Sequence, residues 1–233
     1  MNNSRLYLNQ FQIKLILVVF MVLDHVVEFI PGAPTWFTLL GRLVFPCFLY
    51  FVVDGVFYTS NRIAYLKRLF ISAAIMAIGN TIVFGLTRAL IVNNIFLSMA
   101  ISVCIMLCFE KIKSKTNIAI YILLLIPIFL FTIVFAEGSY LVVVLTIVFY
   151  FLRSHKLWML AVYIAVSLTL TMGSGARWFG ETQWFMVFAT IPLMIYNGER
   201  GSNTKLAKKF FYWFYPAHIW ILAIIGSIMG NVL

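Results

Sequence analysis

Asp24 and His25 stand side by side in an apolar run that starts near residue 13, and Glu28 follows one helical turn later. At 100° per residue Asp24 and Glu28 share a helix face, and His25 also lies one turn from Glu28. A histidine beside carboxylates can act as a general base, because an acid holds its second nitrogen and stabilises the imidazolium. The next apolar run reads Gly41-Arg42-Leu43-Val44-Phe45-Pro46 and then Asp54-Gly55. Arg42 is too deep in that run to snorkel, so it calls for a carboxylate partner or an anionic ligand. Pro46 removes one backbone hydrogen bond and kinks the helix, which opens a cavity that such a charge can line. Asp54 lies about three turns inward of Arg42, either as a site residue or as an interfacial acid paired to Arg62, Lys67 or Arg68. Near the C-terminus, Tyr215, Pro216 and His218 continue past the aromatic run 210–214 toward mid-membrane, at a second expected kink. The chain has three histidines and seven acids, and an ionisable group inside an apolar span marks function by default. His155, in the 153–156 loop, reads as a solvated residue.

These side chains must be positioned by membrane helices. Of 233 residues, 64% are hydrophobic, 17% aromatic and 10% charged, with a mean hydropathy of +1.03. A soluble domain is about half apolar and a quarter charged, and its surface cannot accommodate this composition. A transmembrane barrel would alternate apolar and polar residues in segments of about ten, whereas these runs are longer. The expected fold is all-α: a polytopic transmembrane helical bundle forming a single domain over 1–233. Spans are expected at 13–30, 36–58, 66–87, 94–109, 117–135, 139–152, 157–172, 182–197 and 210–231. The runs 139–152 and 157–172 are short for a full crossing.

The loops alternate in charge. Arg5, then Arg62, Lys67 and Arg68, then Lys111, Lys113 and Lys115, then Arg153 and Lys156, then Arg200, Lys205, Lys208 and Lys209 fall on one side. Only Arg88 and Arg177 fall on the other. This places the N-terminus in the cytoplasm and, with nine spans, the C-terminus outside. The formal net charge of +10 is therefore mostly topology, not a nucleic-acid footprint. The first apolar run has no small-residue cleavage site and reads as a retained span. Cys47, Cys104 and Cys108 lie in apolar runs as small hydrophobes, and Cys104 and Cys108 lack the partners of a metal site. No Walker loop, dinucleotide fingerprint, HExxH or GxSxG is present. Asn93 and Asn94 can cap the fourth span. The turn Glu137-Gly138 and the segment 173–181 read as outward loops, the second a candidate mouth.

The ordered set Val22-Leu23-Asp24-His25, Gly41-Arg42-Leu43-Val44-Phe45-Pro46, Asp54-Gly55, Asn94-Ile95-Phe96-Leu97-Ser98, Glu137-Gly138, Ile191-Pro192-Leu193-Met194-Ile195-Tyr196-Asn197-Gly198 and Phe211-Tyr212-Trp213-Phe214-Tyr215-Pro216-Ala217-His218 resembles the TraX family of membrane proteins. The blocks occur in the family's order from about residue 10 to 225. Two positions depart from the pattern: Asp54 stands where glutamate is usual, and Glu137-Gly138 where aspartate-tyrosine-glycine is.

The resemblance implies acyl transfer in the bacterial cytoplasmic membrane, with acetyl-CoA as co-substrate and no metal. Its namesake acetylates the amino terminus of a conjugative pilin. On this reading His25, Asp24, Arg42 and His218 are the catalytic set. His25 deprotonates the acceptor and Asp24 orients it. Arg42 stabilises an oxyanion or holds an acidic group. His218 positions the thioester, protonates the leaving thiolate or carries acetyl. Asp54, Asn94, Glu137, Tyr215 and Arg68 are the substrate-binding set. Arg62, Lys67 and Arg68, or the basic 200–209 loop, meet the phosphates of acetyl-CoA. The acceptor is a peptide, glycan or lipid headgroup in or across the bilayer, and no nucleic acid is expected. Two other classes compete: a small proton-coupled transporter or flippase using the buried charges as a relay, and a non-catalytic partner of a secreted peptide.

Overall fold

A computed structural model describes residues 7–171 and 182–230. Arg5, Arg177 and the 173–181 segment, all assigned roles above, lie outside the described residues. Apart from one isolated bridge, Leu8 with Tyr196, the regular structure of the described residues is helical. The helices are α1 (Gln10–Phe29), α2 (Phe37–Gly41), α3 (Val44–Phe57), α4 (Arg62–Thr87), α5 (Ile95–Lys113), α6 (Ile118–Phe135), α7 (Tyr140–Leu152), α8 (Lys156–Thr171), a 3-10 segment (Thr182–Ala189), α9 (Thr190–Ile195) and α10 (Lys205–Ile228).

Every expected span is a helix or a pair of short helices. Six segments are long and apolar enough to cross a membrane: α1, the α2–α3 pair, α4, α5, α6 and α10. The other three, α7, α8 and Thr182–Ile195, are shorter apolar helices. Boundaries differ where charge and helix disagree. Arg62, Lys111, Lys113 and Lys205 lie inside helices, because Lys and Arg are good helix formers that extend into water once a span has nucleated. The α2–α3 pair breaks at Arg42-Leu43, one turn before Pro46. Pro46 has no N–H for the Arg42 carbonyl, and its ring crowds that carbonyl. Helix α10 continues through Pro216.

The described residues group into two compact units. One is drawn from Met1–Cys47, Val83–Ala89 and Leu160–Leu233, the other from Phe48–Ile82 and Leu90–Met159.

In the first unit α1 packs on α2 and on α10. The start of α1 is closed by a capping box between Asn9 and Gln12, which satisfies two orphan donors. Two more are met by the loop that leads into α10: Gln10 N–H donates to the Glu199 carbonyl (2.8 Å) and Phe11 N–H to that of Arg200 (3.2 Å). Gly201 makes this possible twice over. Its φ is +67°, and a Cβ there would fall 2.3 Å from the Asn9 side-chain oxygen. Helices α1 and α10 therefore start at one level and run parallel, with Phe11 against Phe211 (ring centroids 5.9 Å) near the start. Near the end Gly226 lies so close to Phe29 that a Cβ would be 2.1 Å from the Phe29 carbonyl oxygen. Parallel first and last spans require an odd number of crossings, which the six long segments would not give if all of them, and they alone, crossed.

In the second unit α5 is the buried element, with Ala100, Val103, Ile105 and Met106 fully or almost fully enclosed, and α6 and α7 pack on it. Buried Ser102 and Thr146 meet at 2.8 Å between α5 and α7, so neither hydroxyl is stranded in an apolar setting. Helix α6 is apolar along its whole length, and Thr132 is its one buried residue. A helix apolar all round and covered on so little of its surface is a lipid-facing span.

The Gly226 contact is testable. Gly226→Ala drives a methyl into backbone and is expected to cost about 1–3 kcal/mol in thermal unfolding in detergent. Gly85→Ala, in α4 where a Cβ meets nothing within 4 Å, is expected to be neutral or stabilising by up to about 1 kcal/mol. Equal responses from the two variants would contradict the close approach of α1 and α10.

Candidate functional site

His25 lies fifteen residues into α1 and His218 thirteen into α10. At 1.5 Å per residue this is about 22 Å and about 20 Å above the two helix starts, which the capping loop holds at one level. The two rings meet: His218 Nε2 lies 3.0 Å from His25 Nδ1. Both residues are buried, at 5% and 7% exposure. His218 Nδ1 lies 2.8 Å from the Phe214 carbonyl one turn back, and the Phe214 ring stacks on the imidazole (5.0 Å, 15°). Tyr215 is buried and meets both imidazoles edge-on, at 6.4 Å from His25 and 5.8 Å from His218. Nε2 of His25 faces Glu28, with Oε2 at 3.9 Å and the carboxylate side chain 36% exposed. That spacing suits a charge pair but exceeds a hydrogen bond.

Asp24 takes a different place from the one expected. Among the described residues it makes no hydrogen bond to His25. Its carboxylate packs on Gly41, where a Cβ would come within 2.1–2.4 Å of three Asp24 atoms. From there it interacts electrostatically with Arg42. The reason is helical geometry, since adjacent residues diverge by 100° and do not face one another. Glu28 and His218 flank the His25 ring instead. Arg42 sits at the α2–α3 break, and its buried Nε has no hydrogen-bond partner among the described residues. An unsatisfied guanidinium N–H in a buried setting is costly and suits an oxyanion or anionic group brought by a substrate.

The remaining expected site residues belong to the second unit. Asp54 is held by Arg153 (Oδ1 to Nε, 2.8 Å), a partner different from the expected Arg62, Lys67 or Arg68. The Arg153 guanidinium also lies over Phe57 (4.3 Å) and Tyr58 (5.3 Å). Arg62 pairs with Glu110 at 2.5 Å. Asn94 is the N-cap of α5, accepting from Leu97 N–H, and its amide donates to the Ala73 carbonyl (3.0 Å). The Glu137 carboxylate accepts from Asn94 N–H (2.9 Å), and Ser98 donates to the Glu137 carbonyl (2.6 Å). These bonds pin the 136–139 turn to the start of α5. Arg68 is exposed, its guanidinium 5.8 Å from the Tyr65 ring.

Sequence reasoning placed Glu28 one turn from His25 but omitted it from the catalytic set. It gave no role to Phe214. The signal for both was present: i, i+3 spacing for Glu28 and i−4 spacing for Phe214.

Comparison with known proteins identifies the family. A family model described as TraX protein matches residues 9–226. The chain is 23% identical to the probable fimbrial assembly protein FimC (serogroup H1) of Dichelobacter nodosus, over 91% of this chain and 93% of that protein. No solved structure matches. The matched stretch runs from the cap of α1 almost to the end of α10 and so contains every histidine, carboxylate and arginine of the site: the chain is a member of the TraX family.

Proposed function

We propose that this membrane protein is an acetyltransferase, moving an acetyl group from cytosolic acetyl-CoA to an amino or hydroxyl acceptor. The observation that carries the reading is the buried His25 ring, flanked by Glu28 and His218, with the unsatisfied Arg42 Nε beside its sequence neighbour Asp24. A base, a carboxylate to stabilise its protonated form and a cation for developing negative charge are the groups that acyl transfer requires. Membership of the TraX family implies pilin acetylation as the expected activity, and the relative from Dichelobacter nodosus carries a fimbrial assembly name. A pilin or another secreted peptide fits that context best. A glycan and a lipid headgroup satisfy the same chemistry.

His25 takes the proton from the acceptor N–H or O–H as the acceptor's lone pair forms its bond to the acetyl carbonyl carbon. Arg42 donates to the carbonyl oxygen as negative charge builds there. The C–S bond then breaks, the sulfur leaves with the electron pair, and the proton held by His25 passes to it as free thiol. Acetyl-CoA would meet the exposed basic residues at the starts of α1 and α10: Arg200, Lys205, Lys208 and Lys209. The positive-inside pattern supports a cytoplasmic position for that face, in what this reading takes to be a bacterial inner membrane.

A proton-relay transporter is the rival reading, and the hydrogen bond joining the two histidines is the observation in its favour. The two readings separate in one assay. Membranes holding the protein are supplied with radiolabelled acetyl-CoA, and label is followed into protein, lipid and polysaccharide. His25→Ala is expected to lower transfer by about 10²–10⁴-fold while accumulating normally; full retention would remove His25 from the mechanism. Arg42→Gln, which keeps donors but removes the charge, is expected to slow transfer by roughly a hundredfold. An unchanged rate would exclude Arg42 from the oxyanion role.

A further inference from the structure

The two buried histidines form a directional chain. A carbonyl oxygen can only accept, so the 2.8 Å contact with Phe214 requires His218 Nδ1 to carry a proton. A neutral imidazole has one N–H, and its other nitrogen is an acceptor. In the neutral pair His218 Nε2 is therefore the acceptor, and the 3.0 Å bond across the helices must be donated by His25 Nδ1–H. The lone pair of His25 then resides on Nε2, the nitrogen that faces Glu28. The Met21 carbonyl, one turn back on α1, also accepts from the His25 ring. Nδ1 is the ring nitrogen nearer the backbone, so this carbonyl favours the same tautomer, as Phe214 does on α10. Stacking of Phe214 on His218 (5.0 Å, 15°) fixes the plane from which the chain is aimed.

We infer that His218 is a positioning residue: through the chain from the Phe214 carbonyl to His218 and on to His25 Nδ1, it holds His25 in the tautomer whose basic Nε2 faces Glu28. This deepens the acyl-transfer reading and rests on it for the identity of the reaction. It assigns His218 neither the leaving-group proton nor a covalent acetyl group. The acceptor's proton goes to His25 Nε2, on the side of the ring nearer the C-terminal end of α1, where Glu28 stabilises the imidazolium. Glu28 enters the site as the carboxylate partner of the base. A second histidine used as a nucleophile or acid would need its own nitrogen presented to the substrate, whereas here both His218 nitrogens are committed to Phe214 and His25.

The test compares His218→Gln with His218→Leu. A glutamine side chain can place its amide oxygen where Nε2 stood and so accept from His25 Nδ1–H, but it cannot carry acetyl or donate a proton as a titrating acid. Leucine removes the acceptor. With radiolabelled acetyl-CoA, purified protein in lipid nanodiscs and an extract of the producing cells' membranes as the source of acceptor, His218→Gln is expected to keep transfer within about tenfold of the wild type. His218→Leu is expected to fall by roughly a hundredfold or more, the scale of losing a positioned base. Nitrogen-15 spectra of histidine-labelled protein in the same nanodiscs give an activity-independent reading. They should show His25 protonated at Nδ1 and bare at Nε2, with the preference weakened in His218→Leu, where the Met21 carbonyl is the acceptor left to hold the Nδ1 proton. Glutamine as inactive as leucine, or a wild-type His25 protonated at Nε2, would overturn the inference. If no form transfers acetyl, the acyl-transfer reading fails, and the ring spectrum alone decides the positioning role.

Discussion

The hydrogen bond between His25 and His218 is the constraint that organises the first unit. Two imidazoles are buried about four helical turns above the starts of α1 and α10, in a chain whose outer surface is apolar. Each must find a partner within the protein, and each finds the other. Their separation of 193 residues makes the register of the two helices critical, and the rest of the unit sets that register. The 199–201 loop closes the first turn of α1 and so levels the two starts. Gly226 lets the far ends come together against the Phe29 backbone. Gly41 gives Asp24 a place on the α2–α3 break, which keeps Arg42 beside the α1 face that bears the acids.

The second unit meets the same physical demand with structural bonds. Asp54 is neutralised by Arg153, and Arg62 by Glu110. Asn94, Ser98 and Glu137 satisfy one another across the 136–139 turn. Groups so fully engaged spend their hydrogen-bonding capacity on joining helices, which is what polar residues in apolar bundles commonly do. The contrast with Arg42 is instructive. Its buried Nε lacks an acceptor among the described residues, and a site that leaves such a donor unsatisfied has a reason to meet a substrate.

Much of this was legible in the sequence because lipid imposes a simple code. All nine apolar runs became helices, and the break of the second span followed from Pro46. The shortness of α7 and α8 was also visible, whereas the third short segment, 182–195, became evident only in the 3-10 winding of its first half. Ionisable residues inside the apolar runs stood out by type alone, but their partners were harder to read. Arg153 is 99 positions from Asp54, and no local pattern links them. Asp24 was favoured as the partner of His25 because it is adjacent in sequence. Helical geometry already argued against that pairing, and the i, i+3 residue Glu28 faces the ring instead.

The central claim, that His25 and His218 bind one another between α1 and α10, is tested most directly by a double-mutant cycle on stability. Unfolding free energies would be measured in bicelles for the wild type, His25→Leu, His218→Leu and the double variant. A bonded pair should show a coupling of about 1 kcal/mol, each single change stranding the partner and the second costing less than the first. Strictly additive losses would mean that the two rings do not bond, and with that the aimed base at the heart of the site would be lost.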